Sequence, residues 1–301
     1  MKIKSCSIGT YTRAGKFGPI GAVVLLAAGL VFYLGTLNAQ QSSPTPDQIN
    51  ALPKRADGMP ANFPFREPDP IDFNDHKGYV QIFNGTNLDG WDGDTSIWHV
   101  ENGAIVGEHE KGKTYNNTYI VYRGFEGKDF DLKLEIKVEE GGGTGVQYRS
   151  KTGLPWIRPL RPGAPAPNMK WMMTGPQADF WFPVPPFYSV FSGQFYSENS
   201  PLGIVAWRGQ AVQIVPGSAP RLIANIGDRT ALGGYVKDND WNQYLIMARG
   251  GTCIHILNGQ LMALLVDDDS ADSNNESGYI GIEIEDAPTK ISVRNIWIRK
   301  L

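Results

Sequence analysis

Six side chains in one central stretch are suited to chemistry on a hydroxylated ligand: Gln177, Asp179 and Trp181, followed by Gln194, Tyr196 and Glu198. Within each trio the spacing is two, and alternate residues of an extended strand share a face. Two short strands would therefore present two polar and aromatic rows. Between them lie Pro183, Val184, Pro185 and Pro186, a run that cannot continue a central strand because proline has no N–H to give. Amides and carboxylates hold hydroxyl groups and flat rings stack on sugars, so the pattern points to a saccharide cleft. Its plain alternative is a half-exposed strand pair.

Other groups offer chemistry with less definition. Glu283 and Glu285 share a strand face and can hold a proton between them if buried; the alternative is a solvated face. His255 alternates with Cys253 and Leu257, which suits a packed histidine better than a catalytic one. Asp267, Asp268 and Asp269, with Asp272, offer oxygens to calcium but in no defined ligand spacing, so an exposed acidic loop is the simpler reading. No zinc spacing, phosphate-binding loop or serine elbow is found, and no cofactor or metal is expected.

The elements that must position these groups read as β throughout. Phe130–Glu139 alternates over ten residues, with Phe130, Leu132, Leu134, Ile136 and Val138 on one face and charged residues on the other. This predicts an antiparallel sheet with one wet face. Asn84–Gly85, Glu101–Asn102–Gly103, Gly250–Gly251 and Asn258–Gly259 read as turns, and Gly209 as the centre of a hairpin from Ile204 to Val215. In the strand at 144–150, Gln147 and Arg149 face away from Val146 and Tyr148. A Pro-rich loop at 154–168 contains Trp156, a candidate ring-stacking residue; loops of that length are commonly functional. A dozen or more short strands without βαβ alternation predict an all-β sandwich of two antiparallel sheets.

Composition narrows the partners. The chain has 301 residues, 41% of them hydrophobic, with 28 Lys and Arg against 31 Asp and Glu. Lys2, Lys4, Arg13 and Lys16 are the charged residues of the first 39, and without them 24 basic residues remain against 31 acidic, a net −7. Nucleic acid is not expected, and a neutral polar substrate suits this balance. The uncharged run at 19–37 after a basic flank, with Ala39 before Gln40, reads as a cleaved export signal or an uncleaved anchor. Either form sends the rest to a periplasmic or extracellular space, with membrane contact only through that segment. Residues 40–75, rich in proline, read as a linker, and 76–301 as the folded domain. The two cysteines, Cys6 and Cys253, leave the domain no internal disulfide.

An ordered set of short motifs then resembles a known family. Ile82–Trp91 is similar to the "LFNGKDLSGW" opening of the 3-keto-disaccharide hydrolase family, Trp98–Ile105 to its "W-x-V-x-D-G-x-L" hairpin, and Phe130–Glu135 to "DFELRLEF". Gly143–Ser150 resembles "GNSGIQFRS", Gly175–Asp179 "GYQADI", and Asp240–Tyr244 "EWNEY". The resemblance runs over about residues 79–301. It implies a concanavalin A-like jelly roll whose ligand lies across the concave sheet, and hydrolysis of 3-keto-glycosides, in which a base takes the acidified C2 hydrogen, the C1 substituent leaves and water adds. On that reading Asp179 is the base, Arg149 stabilises the enolate, and Tyr196 or Glu198 protonates the departing oxygen. Gln147, Gln177, Gln194, Trp181 and Trp156 bind the sugar. Glu283 and Glu285 stand where the family usually has glutamine and histidine, which puts the leaving-group and hydration machinery in doubt. A non-catalytic carbohydrate-binding module would need Trp181, Gln177 and Arg149 but not a poised Asp179 or Glu283.

Overall fold

The alternation at 130–140 is realised as a central strand whose apolar face is sealed. Phe130, Leu132, Leu134 and Ile136 lose all solvent contact. A computed structural model describes residues 45, 47–48, 51, 69–182, 191–270, 273–286 and 289–301. The expected export segment and the Pro183–Pro186 run lie outside the described residues, as does Asp272. Residues from Pro70 to Leu301 form one compact unit.

The strands in chain order begin with β1 (Val80–Gln81), β2 (Trp91–Asp92), β3 (Trp98–Glu101), β4 (Ala104–Glu108), β5 (Thr118–Gly127) and β6 (Phe130–Glu140). Then come β7 (Gly143–Thr152), β8 (Met173–Trp181), β9 (Phe195–Glu198), β10 (Gly203–Ala206), β11 (Gln210–Ile214) and β12 (Arg221–Asn225). After a short helix, α1 (Arg229–Gly233), follow β13 (Asn242–Arg249), β14 (Thr252–Leu257), β15 (Gln260–Asp267), β16 (Gly278–Ile284) and β17 (Lys290–Lys300). They form a ten-stranded sheet, β12-β11-β15-β14-β13-β6-β17-β4-β3 with β1 on β17, and a seven-stranded sheet, β10-β9-β8-β7-β16-β5-β2. All pairings are antiparallel except β11 with β15. The chain is an all-β jelly-roll sandwich, and one hydrophobic core fills the space between the sheets, drawing Phe130 and Leu134 from one and Val146, Phe180 and Ile282 from the other.

Two local expectations are corrected. Gly209 does not centre a hairpin: β10 belongs to the seven-stranded sheet and β11 to the ten-stranded one, so the chain changes sheets at Trp207–Gly209. Gly209 N–H donates to Met262 O at 2.7 Å and so joins the far sheet as it arrives. The outer face of β6 is also not uniformly wet. Lys133 is 3% exposed, because the strap at Pro70–Asp75 lies over it. Its ammonium donates to the carbonyls of Asp72 (3.0 Å), Phe73 (3.0 Å) and Asp75 (2.7 Å) and stands 4.8 Å from the Tyr79 ring. Asp131 is buried beside it and accepts from both Arg249 and Arg299.

Hydrogen bonds to a charged donor contribute more than neutral ones. Replacing Lys133 with alanine is expected to cost about 2–3 kcal/mol. Urea unfolding measures this loss, and amide exchange should quicken selectively at residues 72–77.

Candidate active site

Period-two alternation in the seven-stranded sheet sends Val146, Ala178, Phe180, Ile282 and Ile284 to the core. The intervening residues go to the outer face, where register sets them in rows. Gly143 pairs with Trp181, Gly145 with Asp179, and Gln147 with Gln177. Gln177 in turn pairs with Tyr196, and Gly175 with Glu198. Pairing of Gly281 with Gln147 and of Ile282 with Val146 carries Glu283 beside Gly145 and Glu285 beside Gly143. One row thus reads Trp181, Gly143, Glu285. The next reads Gln194, Asp179, Gly145, Glu283, with Tyr119 of β5 opposite Glu283. A third reads Ile204, Tyr196, Gln177, Gln147, Gly281.

The two glycines of β7 make the floor possible. A Cβ on Gly143 would stand 2.6 Å from the Trp181 ring and 2.8 Å from Glu285 Oε1. One on Gly145 would strike the Gln177 amide. With hydrogen there, Gln177 lies flat across β7 and reaches β16. A donor chain results. Ser150 Oγ donates to Gln147 Oε1 at 2.7 Å, Gln147 Nε2 to Gln177 Oε1, and Gln177 Nε2 to Glu283 Oε2 at 2.5 Å. The other oxygen of Glu283 accepts from Asn117 Nδ2 (2.7 Å) and Tyr119 Oη (2.9 Å). Glu283 is therefore a buried and fully satisfied floor group.

Above this floor is a cleft of about 510 Å³. Among the expected site residues, Trp156, Gln177, Asp179, Trp181, Gln194, Tyr196, Glu198 and Glu285 line it. Gln147 and Glu283 lie directly beneath, joined to it through Gln177. Arg149 is elsewhere. Between Gln147 and Ser150 strand β7 carries a bulge, with Tyr279 of β16 opposite Ser150 and Gly281 opposite Gln147. Arg149 takes up the extra residue at φ 52°, and alternation is lost there. Its side chain turns inward, 1% exposed, donating to Lys128 O at 2.6 Å and Asn274 O at 3.2 Å beside Cys253. Strand alternation cannot foresee such a turn.

Several cleft residues were not anticipated. Arg158 Nε lies 3.5 Å from Glu198 Oε1, and its guanidinium is 5.0 Å from the centre of the Tyr196 ring. Arg161 forms a two-pronged ion pair with Asp286. Phe191 lies 4.9 Å from Trp181 at a tilt of 53°. Asn117 and Tyr119 hold Glu283 from β5. The length of the Pro-rich loop was a signal for Arg158 and Arg161; nothing local marked Asn117 or Tyr119, which matter only through cross-strand register.

Asp179 is the most exposed to chemistry. Gln194 Nε2 donates to its Oδ2 at 2.5 Å, while its Oδ1 is buried without a hydrogen bond. Gln194 Oε1 is likewise buried and unpaired. The far sheet braces both residues: Tyr244 Oη donates to Asp179 O at 3.3 Å, and His255 Nδ1 lies 3.1 Å from Gln194 O. A carbonyl only accepts, so Nδ1 carries the hydrogen and Nε2 accepts from Tyr148 Oη at 2.8 Å. Burial lowers the His255 pKa to about 4, so the ring is neutral. It is a packed histidine with a bracing role.

Burial also pushes up the pKa of Asp179, Glu198, Glu283 and Glu285. Asp179 and Glu285 rise well above the usual carboxylate range, and neighbouring carboxylates add to the rise. Glu198 is pushed up to about 8 by burial and then by Glu283, and Glu283 rises despite its three donors. Burial and then the Glu198 charge keep Tyr196 a protonated phenol. Such a set holds acids and bases together near neutrality. As for metal, Asp267 is buried and its Oδ1 caps Asp269 N–H at 2.9 Å. Among the described residues no three of His, Cys, Asp and Glu come together as ligands would.

A jelly roll with a carboxyl-lined, indole-walled cleft on one sheet defines the class of this protein. Residues 78–299 match the family described as a 3-keto-alpha-glucoside-1,2-lyase-like domain, and the chain belongs to that family. No curated protein matches it in sequence. Two candidate glycosyl hydrolases of Parabacteroides distasonis are similar in structure. One has 17% identity, covering 74% of this chain and 99% of that one, with a TM-score of 0.44. The other has 19% identity, covering 78% and 100%, also with a TM-score of 0.44. The carbohydrate-binding module CBM66 of Bacillus subtilis has 14% identity, covering 70% and 96%, with a TM-score of 0.39.

Two outcomes follow. Gly145→Ala should cost about 1–3 kcal/mol, because the floor is overpacked and Gln177 is driven off Glu283; urea unfolding measures this. The second concerns pH. The folded pKa values of Asp179, Glu198, Glu283 and Glu285 lie above their unfolded values, so the native state binds more protons in between. Stability is then full below the unfolded carboxylate range and falls as pH rises towards about 8, where Glu198 titrates. Urea midpoints from pH 5 to 9 should decline, and Glu198→Gln should flatten the slope.

Proposed function

We propose that this cleft cleaves 3-keto-glycosides by elimination across C1 and C2, followed by hydration. The observation that carries the reading is Asp179, which lines the cleft: one carboxylate oxygen is fixed by Gln194, and the other is buried and unpaired. A buried acceptor without a partner is costly, so a ligand that brings a hydrogen to Oδ1 is favoured there. Membership of a family described by a 1,2-lyase activity supports the same chemistry.

In this reading the Asp179 carboxylate takes the C2 proton, made acidic by the adjacent C3 carbonyl. The C–H electron pair becomes the C2–C3 double bond of an enolate. Its collapse restores the carbonyl, forms the C1–C2 double bond and expels the C1 oxygen with its bonding pair. Glu198, protonated at neutral pH, gives that oxygen its proton. Water then adds at C1 and gives its spare proton to the Glu198 carboxylate, C2 recovers a proton from Asp179, and a 3-keto-sugar is released. Arg158, beside Glu198, supplies the positive charge that the family resemblance assigned to Arg149. Trp181 stacks the ring, and Gln177 and Gln194 hold hydroxyls. The uncharged run at 19–37 supports an activity outside the cytoplasm.

Asp179→Asn keeps the shape of the side chain and removes the base. Incubation with 3-keto-trehalose or 3-keto-sucrose should release 3-keto-glucose from the wild-type chain, and the variant should be slower by a factor of about 10² to 10⁴. An unchanged near-ultraviolet circular dichroism spectrum verifies the fold. Equal turnover by the variant would remove Asp179 from the mechanism. Binding heat without turnover by either chain would identify a sugar-binding module instead.

A further inference from the structure

The cleft is chemically two-sided. At the β8–β9 side, Asp179 Oδ1 and Gln194 Oε1 are buried acceptors without partners, near Trp181 and Glu285, and they call for a ligand rich in hydroxyl donors. The opposite wall is the loop between β7 and β8, and most of its polar groups other than Arg158 hold the loop in place. Asn199 Oδ1 accepts from Ile157 N–H at 2.8 Å, and Asn199 Nδ2 donates to Pro155 O at 2.9 Å. Arg161 N–H donates to Asn116 Oδ1 at 2.8 Å, while its guanidinium is paired with Asp286. Asn116 Nδ2 closes the loop on Pro165 O at 2.8 Å.

Apart from the Arg158 guanidinium, which stands beside Glu198 and over the Tyr196 ring, what this loop has left for a ligand is apolar. Trp156, Pro159 and Leu160 line the cleft, faced by Ile204 from the edge strand β10. Leu160 is 45% exposed, and Ile157 and Leu154 of the same loop are exposed at 60% and 42%. Three large exposed aliphatic residues within seven positions of a loop, one of them lining the cleft, mark a surface that an apolar group covers. A second sugar ring would leave its hydroxyls facing Leu160 and Ile204 without partners, which costs affinity.

Resting on the reading above, we propose that the C1 substituent of the substrate is an apolar aglycone, aryl or alkyl, seated between Trp156, Leu160 and Ile204. The keto-sugar ring lies on the Trp181 side, over Asp179. Glu198, on β9 beside the loop, then stands next to the departing oxygen.

The test compares phenyl 3-keto-α-glucoside with 3-keto-trehalose. The wild-type chain should favour the phenyl glycoside in kcat/KM by about 10-fold or more, and Leu160→Ser should lower that ratio by about 10-fold, chiefly through KM. Leu160 is exposed on a loop, so the variant should fold. A ratio at or below one, or one that Leu160→Ser does not move, overturns the proposal. A second arm needs no chemistry: calorimetry of the Asp179→Asn chain with phenyl α-glucoside and with trehalose. If neither keto-glycoside is turned over, the elimination reading fails and calorimetry alone decides the subsite. Tighter binding of phenyl glucoside, weakened by Leu160→Ser, sustains it; equal or absent binding overturns it. Self-association lost in Ile157→Ser, with the substrate ratio unmoved, would give this loop to a second copy of the chain and also overturn the proposal.

Discussion

The register of four neighbouring strands, β9, β8, β7 and β16, is the constraint on which the site depends. A shift of one residue in any pairing would send a whole row of amides and carboxyls into the core and bring Val146, Ala178 and Ile282 out. The apolar face fixes the register, because those residues have nowhere else to go. The polar rows are thus positioned by the burial of their neighbours rather than by contacts of their own. The glycines at 143 and 145 then let three large side chains share a floor where ordinary residues would leave room for one or two.

Charge is managed on that floor by separation of duties. Glu283 has three donors and no solvent; it ties β5, β8 and β16 together. Asp179 is held at one oxygen only, Glu198 meets Arg158 at the edge, and Glu285 borders the cleft in the row of Trp181. The acids are close enough for each to raise the proton affinity of another, so the set carries less charge near neutrality than four free carboxylates would. The cleft floor therefore carries less negative charge than its carboxyl count suggests.

Much of this was legible in the amino-acid order, for a physical reason: period two survives wherever a strand is regular. Gln177, Asp179 and Trp181, and the pair Glu283 and Glu285, fall on one outer face because β8 and β16 are regular there. Arg149 shows where the rule ends. A single extra residue in β7 rotates the chain, and the cation read as part of the cleft becomes a buried strut between the sheets. Its place near the acids passes to Arg158, on a loop whose length was visible but whose path was not. Tyr119 and Asn117 could not be read at all, since their importance lies in a partner more than a hundred and sixty positions away. The supposed hairpin at Gly209 failed similarly, because a turn and a crossing between sheets use the same residue types.

His255 and Tyr244 have a consequence for how the protein tolerates change. Both belong to the far sheet, and both reach across the core to hold the backbone beneath Asp179 and Gln194. The interior is therefore not a neutral support on which the cleft rests. A change in β13 or β14 that preserves volume but loses either hydrogen bond would leave a folded sandwich with a loosened Asp179. Mutational drift in this core is restrained from two directions, by packing and by the aim of one carboxylate.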